Sequence, residues 1–386
     1  MIQTMRAVLF AAAAGGALAL SACGETTQTV PEVATSTVPV FHAEGRPERL
    51  SEWNLVRIDG GELTLNDRVT PYDLNSALFT DYAHKLRTVW LPEGQAAKYD
   101  GEETFDFPVG TVISKTFYYP RNGDAVLLAE DTTAERLNAG FALSDVRLIE
   151  TRLLIHREEG WVALPYVWNA EQTDAVLKRT GDAQQLTLLN DDGASQDFTY
   201  IVPNANQCAG CHATNATTRE VMPIGPKARH LNREFAYADG EANQLEQWNK
   251  LGLLTGAPEA SEAPRNAVWN DASLSVETRA RAYLDINCAH CHNRVGPADT
   301  SGLLLEHNAP VGPSLGLCKL PIAAGKGTGG RVFGIVPGKA DQSIFTYRME
   351  STDPSIMMPE LGRALSHEEG TQLIADWIAA MDGSCA

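Results

Sequence analysis

Apolar positions along the chain fall into three regimes. From Ala7 to Leu20 they are almost continuous, behind Arg6 and ahead of Leu20-Ser21-Ala22-Cys23. Over 105–119 and 146–168 Val, Ile, Thr, Phe, Tyr and Trp dominate, broken by Gly and Pro, as in Thr111-Val112-Ile113-Ser114-Lys115-Thr116-Phe117 and Arg152-Leu153-Leu154-Ile155-His156. That composition predicts strands, although the alternation is too irregular to set a register. Further on the spacing becomes helical. Ser275 caps a helix carrying Val276, Ala280, Tyr283 and Leu284, and Ser366 with Glu369 forms a capping-box pattern ahead of Leu373, Ile374, Trp377, Ile378 and Met381. The stretches 227–235 and 241–254 also read as helical.

The N-terminal run is shorter than the roughly 20 residues a bilayer-crossing helix needs, and small residues follow it, so it predicts a secretory leader over 1–22. Its Leu-Ser-Ala-Cys ending resembles the lipobox of bacterial lipoproteins, which implies a lipid anchor on Cys23 and export to the periplasm. Gly24 leans the sorting towards the outer membrane. Residues 23–45, rich in Thr, Val, Pro and Glu, read as a flexible tether. The domains expected after it are a β-rich one over 46–202 and two further ones over 203–272 and 273–386, each containing a Cys-x-x-Cys-His segment.

Composition changes this picture little: 44 % hydrophobic and 21 % charged are ordinary globular values. The formal charge is −18, and −19 once Arg6 leaves with the leader, so nucleic acid is not an expected partner. Such a surface suits a basic redox partner protein or a small neutral substrate, and it also suits plain solubility.

The cysteines carry the chemistry. Apart from Cys23, four of the seven form Cys208-Ala209-Gly210-Cys211-His212 and Cys288-Ala289-His290-Cys291-His292, both of the C-x-x-C-H form that attaches c-type haem. Two intervening residues set the thiols about one helical turn apart, within reach of the two vinyl groups of one porphyrin, and the next residue aims an imidazole at the iron. The spacing therefore predicts two covalently bound haems. Thioethers form at Cys208, Cys211, Cys288 and Cys291, with His212 and His292 on the irons. A zinc site shared by both pairs would have to span a gap far longer than the roughly 15 to 20 residues usual for such sites. Structural disulfides or a thioredoxin-like pair leave the following histidines unexplained. Cys318 and Cys385 remain, and in an oxidising compartment they are expected to pair.

Met357-Met358-Pro359-Glu360-Leu361-Gly362 resembles the methionine loop of small cytochromes c, which makes Met358 the expected distal ligand of the second haem, with Met357 beside it. For the first haem, Met222 precedes Pro223 and His230 is its rival. His290 and His307 are not expected to bind the second iron. His84, Lys85, Arg87, Lys115, Tyr166 and Trp168 are polar or aromatic candidates for a pocket in the β region, each with an ordinary role as a loop, surface or core residue.

Several runs together resemble a family of exported di-haem c-type cytochromes of bacteria with a β-rich N-terminal region. They are Tyr72-Asp73-Leu74-Asn75-Ser76, Asp81 to Arg87, Gly160-Trp161, Tyr166 to Asn169, Pro223 to Arg229 and Val336-Pro337-Gly338-Lys339. The resemblance implies haem binding and electron carriage and supplies no substrate. The expected fold is multidomain, with a β-rich N-terminal domain followed by mainly α-helical cytochrome c-type haem domains. The expected function is electron transfer in the cell envelope. The alternative is a redox enzyme, peroxidase-like or a small-molecule oxidase, with one open haem iron.

Overall fold

β-branched and aromatic residues build strands where the sequence concentrates them. The structure, a computed structural model, describes residues 36–129, 133–190 and 192–386. Cys23 and the apolar leader lie outside the described residues. In chain order the strands are β1 (Val56–Asp59), β2 (Glu62–Leu65), β3 (Thr70–Tyr72), β4 (His84–Trp90), β5 (Ala97–Lys98), β6 (Val112–Asn122), β7 (Ala125–Leu127), β8 (Phe141–Ala142), β9 (Val146–Arg157), β10 (Gly160–Trp168), β11 (Ala175–Leu177), β12 (Asp182–Leu189) and β13 (Ser195–Val202). Beyond them come β14 (Glu234–Tyr237), β15 (Gly240–Asn243) and β16 (Leu254–Thr255).

Nine strands form the main sheet, in the order β11-β10-β9-β6-β7-β12-β13, with β4 also paired to β6 and β3 to β4. Its centre is antiparallel, and Val89, Ile113, Leu154 and Ala163 lie opposite one another on successive strands. Side chains alternate between faces along each strand. Leu86, Val112, Leu153, Ile155, Leu164, Tyr166 and Trp168 pack on one side with Trp53 and Phe141. Tyr166 and Trp168 are thus core residues: Trp53 Nε1 donates to the Tyr166 hydroxyl at 2.8 Å and Trp168 Nε1 to Thr151 Oγ1 at 3.0 Å. The other side carries two apolar clusters, one around Val89, Ile113 and Leu154 and one around Phe117, Tyr119 and Tyr200.

The helices are α1 (Thr133–Asn138), α2 (Ala205–His212), α3 (Ala228–Leu231), α4 (Gln244–Lys250), α5 (Val276–Asn287), α6 (Ile344–Glu350) and α7 (Glu368–Ala379). Ser275 Oγ accepts the Thr278 N–H at the start of α5. Ala280, Tyr283 and Leu284 of α5 pack against Leu373, Ile374, Trp377 and Ile378 of α7.

The expectation of mainly α-helical haem domains is overturned. Strand takes 27 % of the described residues and helix only 21 %. Over 203–272 the helices are short, and the stretches expected to be helical become α3 followed by the β14–β15 hairpin and then α4. Ala238 and Asp239 make the two-residue turn of that hairpin, and Gly240, at φ 129°, opens β15. Between α5 and α6 the chain runs irregularly through Gly296-Pro297, Pro310, Gly312-Pro313 and the glycines of 325–330, where neither a helix nor a ladder propagates. Ser366 does not cap α7 either: the N-cap is His367, and Ser366 Oγ donates to the Met349 carbonyl.

Residues 37–386 form one compact unit. Asp81, in the turn before β4, accepts the N–H groups of Ala364 and Leu365, and Tyr82 bonds Glu369, so the sheet holds the start of α7 directly.

Candidate functional site

Each C-x-x-C-H motif is delivered by a capped helix. Asn204 accepts the Asn206 and Gln207 N–H groups while the Gln207 side chain accepts the Asn204 N–H, a capping box legible in Asn-x-x-Gln that fixes the start of α2. Cys208, Cys211 and His212 all lie on α2, with the cysteines one turn apart. The second motif follows α5 directly, as one further turn in which Cys291 N and His292 N both donate to the Cys288 carbonyl. The two segments touch. Cys291 Sγ lies 3.7 Å from the Gly210 carbonyl oxygen, and Ala216 N donates to Val295 O at 2.7 Å.

The four motif cysteines are free thiols, whereas Cys318 and Cys385 are joined in a disulfide. Burial pushes the Cys288 and Cys291 thiols up to about 12, and it raises Cys208 and Cys211 against the opposing charge of Arg152. Protonated thiols are poor nucleophiles for disulfide exchange, which tells against a thioredoxin-like role.

Both histidines are oriented as iron ligands would be. His212 Nδ1 lies 2.7 Å from the Met222 carbonyl oxygen. A carbonyl only accepts, so Nδ1 holds the hydrogen and Nε2 the free lone pair. His292 Nδ1 lies 3.1 Å from Ser301 Oγ, whose own hydrogen goes to the Ala298 carbonyl at 2.7 Å, so His292 is the same tautomer. Burial lowers His212 to about 3 and His292 to about 4, leaving both rings neutral at physiological pH.

A cavity of about 550 Å³ opens on the second motif, lined by Cys288, Cys291 and His292 and walled by Leu303, Leu305, Ile344, Phe345 and Met349. It lies within the range of cofactor pockets. Met358 lines it, while Met357 is buried elsewhere in the core. The Met358 backbone is clamped: its N–H donates to Arg348 O, and Arg363 donates to its carbonyl at 3.0 Å. Two thiols, a presented imidazole, an apolar wall and a thioether fit a c-type haem.

Gly210 and Cys211 of the first motif line the same cavity, as does His290. Beside Cys208 and His212 a second cleft of about 70 Å³ faces the sheet and is lined by Arg87, Lys115 and Arg152. Cys208 and His212 line it over this basic floor, with Cys211 one turn further along α2 on the wall of the larger cavity, and that donor set matches the same group. Neither residue named from the sequence as its distal ligand lines this cleft. Met222 is 40 % exposed and meets His212 through its carbonyl, and His230 is buried with Nε2 3.5 Å from Asp285. His307 also faces Asp285, at 3.9 Å.

Of the pocket candidates in the β region, Arg87 and Lys115 reach the first motif. His84 instead bonds the Ala129 carbonyl and Lys85 donates to Ala83 O. Arg152 was missed as a site residue, although its strand was predicted; only the strand register places it beside Lys115.

No family model, curated protein or solved structure matches the chain. The resemblance to a family of exported di-haem c-type cytochromes is therefore not upheld. The fold is mostly β-sheet rather than that of a helical cytochrome, and no group of three or more His, Cys, Asp or Glu among the described residues is placed to hold a metal ion. The runs that carried the resemblance sit where the sheet meets later segments. Asn75 Nδ2 donates to the Arg229 and Asn232 carbonyls, and Arg87 pairs with Asp73. Such runs answer to packing within this fold.

Proposed function

We propose that this chain carries two c-type haems and passes electrons between redox partner proteins in the bacterial cell envelope. Cys208 and Cys211, and Cys288 and Cys291, would hold the haems as thioethers, each thiol adding sulfur to one vinyl carbon and hydrogen to its neighbour. When bound, the haem supplies a one-electron Fe(III)/Fe(II) couple. His212 and His292 would hold the irons through Nε2, and Met358, which lines the larger cavity, would supply its thioether there. Methionine opposite histidine raises the potential and closes the iron to ligands, which suits a carrier.

One observation carries the reading: two C-x-x-C-H segments meet at a single apolar cavity, with their histidines in the tautomer that frees Nε2. Contact between the segments favours exchange from one haem to the other within the chain. A leader with lipid on Cys23, and so a periplasmic, membrane-anchored protein, belongs to the same proposal. No helix among the described residues is long and apolar enough to cross a membrane.

A second reading, a redox enzyme with an open first iron, is favoured by the positions of Met222 and His230 away from the cleft at His212. Optical and EPR spectra of the oxidised and reduced protein, with carbon monoxide as a probe, separate the two. Two low-spin haems indifferent to carbon monoxide support the relay, and a high-spin or ligand-binding haem supports the enzyme.

A further inference from the structure

Register puts three cations in one row. Arg87 of β4 is the direct cross-strand partner of Lys115 of β6, and Lys115 is the direct partner of Arg152 of β9. The row crosses a face that is otherwise apolar. Ile113 lies on one side of Lys115 along β6 and Phe117 on the other, each within its own buried cluster. Like charges directly opposite one another destabilise a sheet, and a half-buried row of three does so more.

The acids beside the row answer its ends and leave its centre. Asp73 pairs with Arg87 and reaches Arg233 at 3.4 Å, while Glu150 takes Arg152 Nε at 2.8 Å and also accepts the Tyr200 hydroxyl. Lys115, partly buried, has no hydrogen bond or ion pair among the described residues; its ammonium lies 5.2 Å from the Phe117 ring centroid. Desolvation, with Arg152 and Arg87 alongside, brings its pKa down to about 7. All three cations line the cleft together with Cys208 and His212. An anion delivered with whatever is attached to α2 would complete the row.

We propose that Lys115, flanked by Arg87 and Arg152, is the seat for the carboxylates of the haem bound at Cys208 and Cys211. This rests on the haem reading above and extends it to the sheet, which the attachment motifs alone leave without a role. The sheet then sets the first haem's charge environment, because a cation held against its carboxylates favours the reduced iron.

The test uses the full chain matured with both haems, in the parent, Lys115→Gln and Lys115→Arg forms, with the second haem as internal control. In a spectroelectrochemical titration, K115Q should shift the first haem's reduced-to-oxidised ratio at fixed potential about tenfold towards oxidised, equivalent to about 59 mV for one electron. K115R should restore it, and the second haem should not move. A first-haem ratio within about twofold of the parent overturns the proposal. So does conversion of that haem to high spin, which would make Lys115 an iron ligand. Redox-difference infrared spectra of parent protein grown with carboxylate-labelled haem need no variant: ionised, strongly bonded carboxylates support the seat, and protonated or water-exposed ones overturn it. A haem count of one with Cys208 and Cys211 unmodified refutes the underlying haem reading instead.

Discussion

Asp285→Asn should destabilise the protein by about 3 kcal/mol at neutral pH, with a penalty that shrinks in acid. Asp285 sits on α5 one turn before Cys288 and is 4 % exposed. It accepts Arg229 Nε at 2.8 Å and Nη2 at 3.2 Å, Asn266 Nδ2 at 2.8 Å and the His307 N–H at 3.2 Å. It thereby ties the helix that delivers the second motif to the segment following the first. Arg229 is itself 6 % exposed, so losing its partner leaves a buried guanidinium uncompensated, a change that costs about 3–5 kcal/mol. Asn retains some of the hydrogen bonds, which favours the lower end. Burial pushes the Asp285 carboxyl up, but the Arg229 bond and the neighbouring cationic side chains outweigh it and hold the group at about 2, against an ordinary 3.8. Burial keeps His230 neutral at physiological pH, so Arg229 carries the compensation there.

A folded-state pKa below the unfolded value gives stability that is present in full above about pH 5 and is lost as pH falls through the folded value. The shift corresponds to about 2 kcal/mol. For a unit of about 350 residues, 3 kcal/mol lowers Tm by about 4 °C. The assay is thermal unfolding of parent and variant at pH 7 and pH 3, followed by circular dichroism. Comparing the two proteins cancels the titration of other groups. A gap of about 4 °C at pH 7 that narrows at pH 3 is expected. A gap below about 1 °C at pH 7, or one that does not change with pH, would refute the role given to Asp285.

Met358→Ala should let the reduced second haem bind carbon monoxide and shift its redox ratio at least about tenfold towards oxidised; an unchanged spectrum would remove Met358 from the iron. Met357→Ala, by contrast, should leave the spectra intact and lower stability by about 2–5 kcal/mol in denaturant unfolding, because Met357 is 6 % exposed in the core. Replacing Cys318 and Cys385 by Ser removes a link spanning 67 positions, for which loop-closure entropy gives a loss of about 4 kcal/mol. A loss under about 1 kcal/mol would mean that the C-terminus is held by other contacts.

Local chemistry was legible in the sequence wherever it depended on neighbours along the chain. The helical setting of both C-x-x-C-H segments, the Ser275 cap and the apolar face of α7 follow from spacing alone, as does the strand character of 112–117 and 152–156. Residues brought together by tertiary register were not legible. Arg87, Lys115 and Arg152 are far apart in the chain and become one row only through the β4-β6-β9 pairing, which the irregular alternation did not set. Met222 looked like a ligand because Pro223 follows it, yet its contribution to His212 comes through a backbone carbonyl, which any residue could supply. The excess of expected helix came from reading apolar spacing over 227–235 and 241–254, where a hairpin turned at Ala238-Asp239 takes Glu234–Tyr237 and Gly240–Asn243 into strands instead.

The central claim is that each C-x-x-C-H segment holds a haem covalently, and its most direct test is the intact mass of the mature chain with a pyridine haemochrome count. After production with haem maturation factors, two haems per chain that survive denaturation are expected. One should be lost with Cys208→Ala/Cys211→Ala and the other with Cys288→Ala/Cys291→Ala. A parent protein carrying no covalent haem, its four motif cysteines open to alkylation, would contradict it.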